Sequence, residues 1–268
     1  MNNATSPINK LNRLMGQPID TWANEEKNNL QQPLQIPEYL QETYSWAYIR
    51  PSAVALFERQ WIVNLILWGK FVQLRDVALN ELGSTIPGNT LQIACVYGDF
   101  SAKLEQRIAK GGSLDIVDVL TIQLENVRRK LLPFSPVRVL HNDSTALKFA
   151  DASYDQAIMF FLLHEMPTQV RKDTLSEALR VLKPGGKLVI VDFHKPTALN
   201  PFRYLYPPMF RLLEPFALDI WRESIEDWLP EAFMPAKVTK ETMFGGLYQK
   251  IVIHKQMKHE YKKFGLRL

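Results

Sequence analysis

Proton-active side chains lie just beyond the apolar segments that predict the strands of a sheet. The first such segment, 90–96, runs into a turn ending in Gly98, and the next ends at Asp118. Two later segments end near Asp143 and at the pair His164-Glu165. Because the carboxyl ends of parallel strands share one edge of a sheet, we expect these side chains to surround a single site.

The turn after the first predicted strand departs from the pattern of a nucleotide-binding fold. The common pattern D-x-G-x-G-x-G corresponds here to Gln92, Ala94, Val96 and Gly98, so only the last glycine remains. Glycines in such a turn let the backbone approach the ligand, whereas Val96 and Tyr97 fill that space. The sequence therefore predicts that Ala94, Val96, Tyr97 and Gly98 contact the cofactor. The turn they form should hold the cofactor differently from a glycine-rich turn.

Asp118 follows Gly98 by 20 residues, which is the spacing of an acidic residue that binds a ribose hydroxyl pair. With its neighbour Val119, it is a predicted cofactor contact. An N-cap for a helix starting near Thr121 is the structural alternative. The surrounding strand–helix–strand pattern favours ribose binding.

A third group of candidates follows the next predicted strand. Asp143, Ser144 and Thr145 are expected near an adenine ring. His141 and Asp143 share strand parity, so they could also hold a metal ion together. Solvated loop residues are an equally good interpretation.

His164 and Glu165 end a very apolar strand, and a histidine in that position favours a functional role over a core one. His194, after the fifth strand, is a weaker candidate because it precedes a lysine and a proline. The single cysteine, Cys95, is interpreted as a small core residue rather than a reactive thiol.

Alternating patterns indicate the elements that position these residues. Strands are predicted near 90–96, 113–119, 137–142, 155–163 and 187–193, with helices near 99–110, 121–132 and 168–182. Two further strands, 236–244 and 247–255, are joined by Gly245-Gly246 and predict an antiparallel hairpin. The fold class is therefore α/β, with a mainly parallel, doubly wound sheet of seven strands.

Regions outside this pattern define the predicted domains. Residues 1–35 are interpreted as a flexible arm, 36–83 as a helical cap with helices at 37–49 and 51–82, and 84–268 as the α/β domain. Within the cap, the apolar stretch 61–68 predicts a buried helix or, alternatively, a lid or membrane-facing surface. The aromatic insertion 200–230 is interpreted as a substrate cover rather than a packing layer.

Composition excludes several classes of protein. The 268 residues are 46% hydrophobic and 22% charged, with a net charge of +4, which fits a globular protein and not a nucleic-acid binder. One cysteine excludes an intramolecular disulfide framework. No apolar run approaches a membrane span, and the first 30 residues lack a signal-peptide core.

Two segments carry a family resemblance. Residues 143–155 (DSTALKFADASYD) and 177–188 (EALRVLKPGGKL) resemble the quinone C-methyltransferases of ubiquinone and menaquinone synthesis. These enzymes belong to the class I S-adenosylmethionine-dependent methyltransferases. The resemblance implies a Rossmann-like class I fold and S-adenosyl-L-methionine as cofactor.

Further segments resemble a divergent branch of that superfamily, the RquA family of rhodoquinone biosynthesis. They are 57–68 (FERQWIVNLILW), 94–99 (ACVYGD), 160–165 (FFLLHE) and 215–219 (PFALD), together with Asp143-Ser144-Thr145. This resemblance implies that ubiquinone is converted to rhodoquinone, with a ring methoxy group replaced by an amino group from S-adenosylmethionine, and that Mn²⁺ is required. It also implies work in anaerobic respiration, at the cytoplasmic face of a bacterial inner membrane, or in mitochondria of a eukaryote.

On that interpretation, Tyr97, His164 and Glu165 are the catalytic candidates, and Asp143, His164 and His141 are the candidate metal ligands. Tyr97 is expected to orient the amine or the quinone. Two other hypotheses stay open: a conventional quinone or lipid methyltransferase, and a non-catalytic scaffold of a quinone-biosynthesis assembly.

Overall fold

The computed structural model describes residues 34–49, 51–133, 135–230, 233 and 235–256. From Ile36 onward they belong to one compact unit. The predicted arm over 1–35 lies, for residues 1–33, outside the described residues.

A seven-stranded sheet in the order β3-β2-β1-β4-β5-β7-β6 forms the centre of this unit. Strands β1 to β5 pair in parallel, and β7 pairs antiparallel with both β5 and β6. Val- and Ile-rich runs form its central strands because both faces of a parallel sheet are buried. The predicted fold class and all seven strands are confirmed. The strands are β1 (Asn89–Ile93), β2 (Ser113–Asp118), β3 (Arg138–His141), β4 (Tyr154–Phe160), β5 (Leu182–Phe193), β6 (Pro235–Met243) and β7 (Tyr248–Lys255).

The strand order creates the site. The chain leaves β1 toward β2 on one side and reaches β4 on the other, so β1 and β4 are neighbours at the point where the strand order reverses. Loops that leave such a point diverge and open a crevice at the carboxyl ends of the strands. The turn after β1, Asp118 and the segment after β4 therefore surround one crevice.

The helices lie on both sides of the sheet and over its carboxyl edge. They are α1 (Glu38–Thr43), α2 (Pro51–Phe57), α3 (Gln60–Ile66), α4 (Phe71–Leu82), α5 (Phe100–Glu105), α6 (Thr121–Arg128), α7 (Thr168–Val181) and α8 (Phe202–Leu213). Single-turn helices occur at Ser45–Ile49, Leu163–Glu165, Asp219–Trp221 and Ile225–Trp228. No helix in the described ranges is both long and apolar enough to cross a bilayer.

The single helix predicted over 51–82 is wrong. The chain breaks at Glu58-Arg59 and again at 67–70, where Trp68 and Gly69 have φ values of 53° and 73°. A left-handed pair of residues ends a helix, and the chain then changes direction. Three short helices result, and only α4 packs lengthwise with Phe71, Leu74 and Ala78 buried.

The expectation that the stretch 61–68 is buried is also wrong for most of its residues. Val63 and Leu67 are buried, but Trp61 is 62% exposed and Leu65 is 64% exposed. The sequence is apolar on every face, and the break after Ile66 leaves only one face in contact with the core. The other face remains open to its surroundings.

Gly98 is the retained glycine of the cofactor turn, and its surroundings explain why it is a glycine. Its φ is +76°, and an added Cβ would lie 2.9 Å from Phe71 Cζ and 2.9 Å from Gln60 Oε1. Gly111 has a similar φ of +85°, with no atom within 4 Å of the added Cβ. An alanine at position 111 would therefore add backbone strain alone, whereas an alanine at position 98 would add both backbone strain and a steric clash.

We predict that Gly111→Ala lowers the free energy of unfolding by about 1 kcal/mol, because the left-handed conformation disfavours any Cβ. Gly98→Ala is expected to cost about 1–3 kcal/mol more, because the buried Phe71 ring must move. Urea denaturation of both variants measures the difference. Equal losses would contradict the crowding at Gly98.

Candidate active site

The turn after β1 keeps a left-handed backbone at a position where the common pattern has a glycine and this chain has an alanine. Ala94 occupies one glycine position with φ of 71°, in the left-handed region that a Cβ disfavours. Gln92 is fully buried and donates through Nε2 to Ala94 O and to Ser101 Oγ, both at 2.9 Å. Gln92 occupies the position where the common pattern has an acidic residue, and its amide side chain holds the turn in place through these two hydrogen bonds.

Tyr97 joins this turn to the N-terminal helices. Its ring stacks on Tyr48, with centroids 5.7 Å apart, and lies 6.0 Å from the ring of Phe57. Its hydroxyl donates to Ala47 O and accepts from Gln123 Nε2, each at 2.8 Å. The hydroxyl expected to orient a substrate is therefore held by two protein groups.

Lys130 fixes the outer part of the same turn. Its ammonium donates to Val96 O at 2.8 Å and to Gly98 O at 3.0 Å. It also pairs with Glu58, which accepts from Asn126. The carbonyl groups of the altered turn thus face a lysine and are oriented by it.

Asp118 accepts two backbone hydrogen bonds, one from the turn after β1 and one from its own loop. Its Oδ2 accepts from Cys95 N and its Oδ1 from Leu120 N, both at 2.8 Å. Burial raises the pKa of the carboxyl although these bonds oppose the shift. Each oxygen keeps a second lone pair, so the geometry is compatible with both the local bond at the start of α6 (Thr121–Arg128) and the predicted ribose contact.

The polar side chains at the end of β3 and just after it form hydrogen bonds with other protein groups. His141 Nε2 donates to Val119 O at 2.9 Å. Asp143 Oδ1 accepts from the backbone and hydroxyl of Thr145, both at 2.8 Å. Ser144 faces the cavity, and its hydroxyl pairs with Thr174 on α7 (Thr168–Val181) at 2.9 Å.

His164 and Glu165 form the most strongly perturbed group of the site. His164 Nδ1 donates to Asp192 Oδ1 at 2.8 Å, which leaves Nε2 toward Glu165 Oε1 at 3.7 Å. Burial opposes the imidazolium, but the charge of Asp192 and this hydrogen bond raise the pKa of His164 to about 9. Burial raises the pKa of Glu165 against the opposing charge of His164, and Tyr48 donates to its carboxylate.

An apolar cavity of about 570 Å³ connects these groups. Its walls come from the turn after β1, the loops after β2 and β4, the N-terminal helices and α8 (Phe202–Leu213). His164 and Glu165 line it, as do the following predicted cofactor residues: Ala94, Val96, Tyr97, Asp118, Val119 and Ser144. Gly98, Asp143 and Thr145 are not among the lining residues.

Several cavity residues are absent from the sequence prediction. They are Tyr48, Gln123, Asn142 and Glu214, together with Asp192 behind His164. Asp192 ends β5 beside β4, a position that a sequence search along strand ends could have found. Asn142 directly follows β3 and could have been found in the same way, whereas Tyr48, Gln123 and Glu214 come from helices and loops whose approach depends on tertiary packing.

His194 and Cys95 are the two residues to which the sequence assigns a minor or structural role. His194 Nδ1 donates to Gly246 O at 2.8 Å and supports the hairpin outside the cavity lining. Burial and the charge of Asp118 raise the pKa of the Cys95 thiol well above its usual range. Cys95 is half-buried and lines the cavity, so it is not a fully enclosed core residue, and the raised pKa disfavours its thiolate form.

The structure does not assemble the predicted metal ligands Asp143, His164 and His141. Among the described residues, no group of three or more His, Cys, Asp and Glu side chains is arranged to hold a metal ion. The reason is local: His141 bonds Val119 O, Asp143 caps its own loop and His164 bonds Asp192. We therefore derive no step through Mn²⁺ from these residues.

Comparison with known proteins identifies the family. Residues 62–242, well over half of the chain, match the model of the ubiE/COQ5 methyltransferase family. A demethylmenaquinone methyltransferase of Staphylococcus aureus is 27% identical over 185 residues, covering 68% of this chain and 76% of that protein. The chain belongs to the ubiE/COQ5 methyltransferase family, whose members use S-adenosylmethionine.

Solved structures show the same fold at low identity. An O-methyltransferase family protein from Burkholderia thailandensis has a TM-score of 0.57 and 13% identity, covering 90% of this chain and 69% of that one. A putative O-methyltransferase from Nostoc punctiforme has a TM-score of 0.56 and 16% identity, covering 92% and 73%. These likenesses show the class I methyltransferase fold.

We predict that Tyr97→Phe weakens the anchor of the N-terminal helices. The change removes the hydrogen bonds of the hydroxyl with Ala47 O and with the Gln123 amide, which keeps only a longer contact of 3.4 Å with Tyr48 O. The free energy of unfolding should therefore fall by about 1–2 kcal/mol. Because the ring and its stacking remain, turnover at saturating substrate should be retained while cofactor affinity falls. Urea denaturation and steady-state kinetics measure both quantities.

Tyr204→Phe is the matched control, because its exposed hydroxyl bonds only Ala198 O at 3.1 Å. A loss of turnover of 100-fold or more in Tyr97→Phe, with stability unchanged, would instead assign the hydroxyl a direct chemical role.

Proposed function

We propose that this member of the ubiE/COQ5 family acts on a quinone ring with S-adenosylmethionine as co-substrate, and that the group it transfers is the amino nitrogen. The reaction replaces a ring methoxy group of ubiquinone by an amino group and forms rhodoquinone. The observation that supports this most is the His164–Glu165 pair, which holds protons inside a mainly apolar cavity.

The chemistry needs two proton transfers at the ring. A neutral amine adds to the ring carbon bearing the methoxy group, and its nitrogen then loses a proton. The carbon–oxygen bond breaks, and the departing methoxide takes a proton and leaves as methanol. The bond between this nitrogen and the cofactor's α-carbon is later hydrolysed: the α-carbon takes the hydroxyl group of one water molecule, the nitrogen takes its proton, and the amino group stays on the ring.

His164 and Glu165 suit both transfers. Their raised pKa values keep a proton on the pair near neutral pH, and a neighbouring acid and base can exchange roles as the proton moves. Asp192 fixes the tautomer of His164, so Nε2 is the atom that faces the cavity. Tyr48 donates to Glu165 and holds its carboxyl group in place.

The cofactor turn also supports a changed pose. Side chains of Ala94, Val96 and Tyr97 line the cavity where glycines would leave the turn open. Gln92 is neutral where the common pattern has an acidic residue, so a charge that attracts the cofactor's ammonium group is missing from that position. Both changes disfavour the methyl-transfer pose and leave the amino group to be held elsewhere.

Conventional methyl transfer to a quinone is the second candidate, because the family match and the Staphylococcus aureus relative favour it. A scaffold without activity is the third. The three differ in which atom of the cofactor reaches the quinone.

We predict that S-adenosylmethionine labelled with ¹⁵N at its amine and ¹³C at its methyl transfers ¹⁵N to a short-tailed ubiquinone, with loss of the methoxy group. Mass spectrometry of the quinone measures both labels, with oxidised and reduced ubiquinone supplied separately. Parallel reactions with Mn²⁺ and with a chelator test the metal dependence that the resemblance implies. His164→Gln should lower the rate by about 10²-fold or more, since general acid–base catalysis contributes at least that much.

Glu125→Gln, an exposed change on α6, is the matched control and should leave the rate unchanged. Arrival of ¹³C in the quinone would replace the proposal by methyl transfer. Arrival of neither label would favour the scaffold.

The entrance of the cavity is apolar, which supports entry of the quinone from a bilayer. We define the apolar rim as the exposed side chains Trp61, Leu65, Ile66, Trp68, Tyr204, Leu205 and Leu212. Trp68 contacts Phe202 at a centroid distance of 4.5 Å and so connects α3 (Gln60–Ile66) with α8. Leu65, Ile66 and Trp68 also line the cavity, so the rim and the entrance are continuous.

We predict that the double variant Trp61→Ser/Leu65→Ser binds anionic phospholipid vesicles at least about tenfold more weakly, because each large side chain contributes 1.5–3 kcal/mol when fully buried. Co-sedimentation of the full chain with the vesicles measures binding. Leu132→Ser is the control, because Leu132 is 58% exposed but lies outside the rim. Equal binding by the parent and the double variant would exclude the rim as the docking surface.

A further inference from the structure

One wall of the cavity is aromatic and contains a hydroxyl group that the mechanism above does not use. Tyr206 lies on α8 (Phe202–Leu213), within the insertion 200–230, and lines the cavity together with Trp68, Phe193 and Phe210. We call these four residues the aromatic wall. Tyr206 is only 1% exposed, so its hydroxyl group must find its hydrogen-bond partner inside the protein or on a ligand.

The hydroxyl group of Tyr206 has no acceptor in the described part of the chain. By distance and angle, neither this hydroxyl nor that of Tyr248 makes a hydrogen bond there, and both oxygens are buried. Trp68 and Tyr248 nevertheless lie near the oxygen of Tyr206. Burial raises the pKa of Tyr206 to about 12, and these two side chains oppose that rise as hydrogen-bond donors.

The donors in this group outnumber the acceptors. The indole of Trp68 only donates, and each of the two hydroxyl groups has one proton to donate. Even if Tyr206 and Tyr248 bond each other, one of their two protons is left without an acceptor. A buried donor in that state is costly, so the group favours a ligand that supplies an acceptor.

The aromatic wall also connects this donor with the proton-carrying pair. The ring of Phe193 lies 5.7 Å from that of Tyr206 and 4.8 Å from that of His164. One aromatic ring therefore separates Tyr206 from His164, which is the size of a quinone head group. Trp68, at the other side of Tyr206, is 46% exposed and belongs to the apolar rim. A tail attached to such a head group can leave the cavity there.

An oxidised quinone has the chemistry that this wall lacks. Its carbonyl oxygens are acceptors without protons, whereas a quinol oxygen brings a proton for which the aromatic wall offers no unused acceptor. The flat ring can also pack against aromatic side chains. A surplus of donors in an aromatic setting therefore fits the oxidised ring better than the reduced one.

We propose that the Tyr206 hydroxyl donates a hydrogen bond to a carbonyl oxygen of the oxidised quinone and that the aromatic wall is the subsite for its head group. This inference rests on the proposed function for the quinone as substrate. Tyr206 is then a residue that binds and orients the substrate. A donor to the carbonyl also makes the conjugated ring carbons more electrophilic, which the addition of an amine needs.

Binding of oxidised short-tailed ubiquinone to the full chain, without S-adenosylmethionine, tests the subsite in the absence of turnover. Equilibrium dialysis measures the affinity, and infrared difference spectroscopy with ¹³C at the carbonyl carbons measures the C=O stretching frequency. We expect one carbonyl of the bound quinone to vibrate at a lower frequency in the parent protein than in Tyr206→Phe, because a hydrogen bond weakens the C=O bond. The affinity of the variant should fall about tenfold, as for one lost hydrogen bond.

Tyr204→Phe is the matched control on the same helix, because its exposed hydroxyl bonds Ala198 O at 3.1 Å. It should match the parent in both measurements. The ligand control is the dimethoxytoluene with the substitution pattern of ubiquinone and no carbonyl groups. It should bind the parent and Tyr206→Phe with equal affinity, which also verifies that the cavity of the variant is intact.

A loss of affinity in Tyr206→Phe with an unchanged carbonyl frequency would overturn the proposal, because the hydroxyl would then act only on the structure of the wall. Equal frequency and affinity in the parent and the variant would overturn it as well. So would absence of quinone binding by the parent protein.

The two proposals fail separately. Transfer of ¹³C rather than ¹⁵N from the labelled cofactor would end the proposed amination but would leave the carbonyl frequencies as measured. Transfer of ¹⁵N to the quinone, with the same carbonyl frequency in the parent and in Tyr206→Phe, would end the head-group subsite and leave amination in place.

Discussion

The carboxylate of Asp192 is the interaction on which the candidate site depends. It is fully buried at the end of β5 and accepts from the backbone amides of Leu163, His164 and Phe193, and from His164 Nδ1. These bonds hold the segment after β4 against β5 and fix the tautomer of the histidine. A charge placed there without its donors would be very costly, so the loop must close around it. The orientation of Glu165 toward the cavity follows from that closure.

A second constraint is the contact between the cofactor turn and the N-terminal helices. Tyr97 stacks on Tyr48, and Lys130 holds the carbonyl groups of the turn. Tyr48 also donates to Glu165, so one residue connects the altered turn with the proton-carrying pair. The side chains of the turn and the N-terminal helices therefore depend on each other, because side chains in the turn need a surface on which to pack.

The sheet could be predicted from sequence because its signals are local: apolar runs of strand length, glycine turns and the spacing from Gly98 to Asp118. His164 and Glu165 could be predicted as candidates for the same reason, since they follow β4 (Tyr154–Phe160) closely in the chain. Glu214 could not be found, because a glutamate after an amphipathic helix is normally solvated and only tertiary packing buries it. Strand parity placed His141 and Asp143 on one face as candidate metal ligands, but it could not show that each has a protein hydrogen-bond partner nearby.

The redox state of the ring connects the cavity with the choice between the two reactions. Methyl transfer to a ring carbon needs an electron-rich ring, which is the reduced quinol, because the methyl group is the electrophile. Addition of an amine needs an electron-poor ring, which is the oxidised quinone. If Glu165 keeps its proton in the apolar cavity, its carboxyl group can donate a hydrogen bond to a quinone oxygen. That bond would withdraw electrons from the ring. Under the proposed amination, the raised pKa of Glu165 would therefore make this carboxyl group a proton donor to the oxidised ring, while the neighbouring His164 or solvent would have to take the proton that the nitrogen loses.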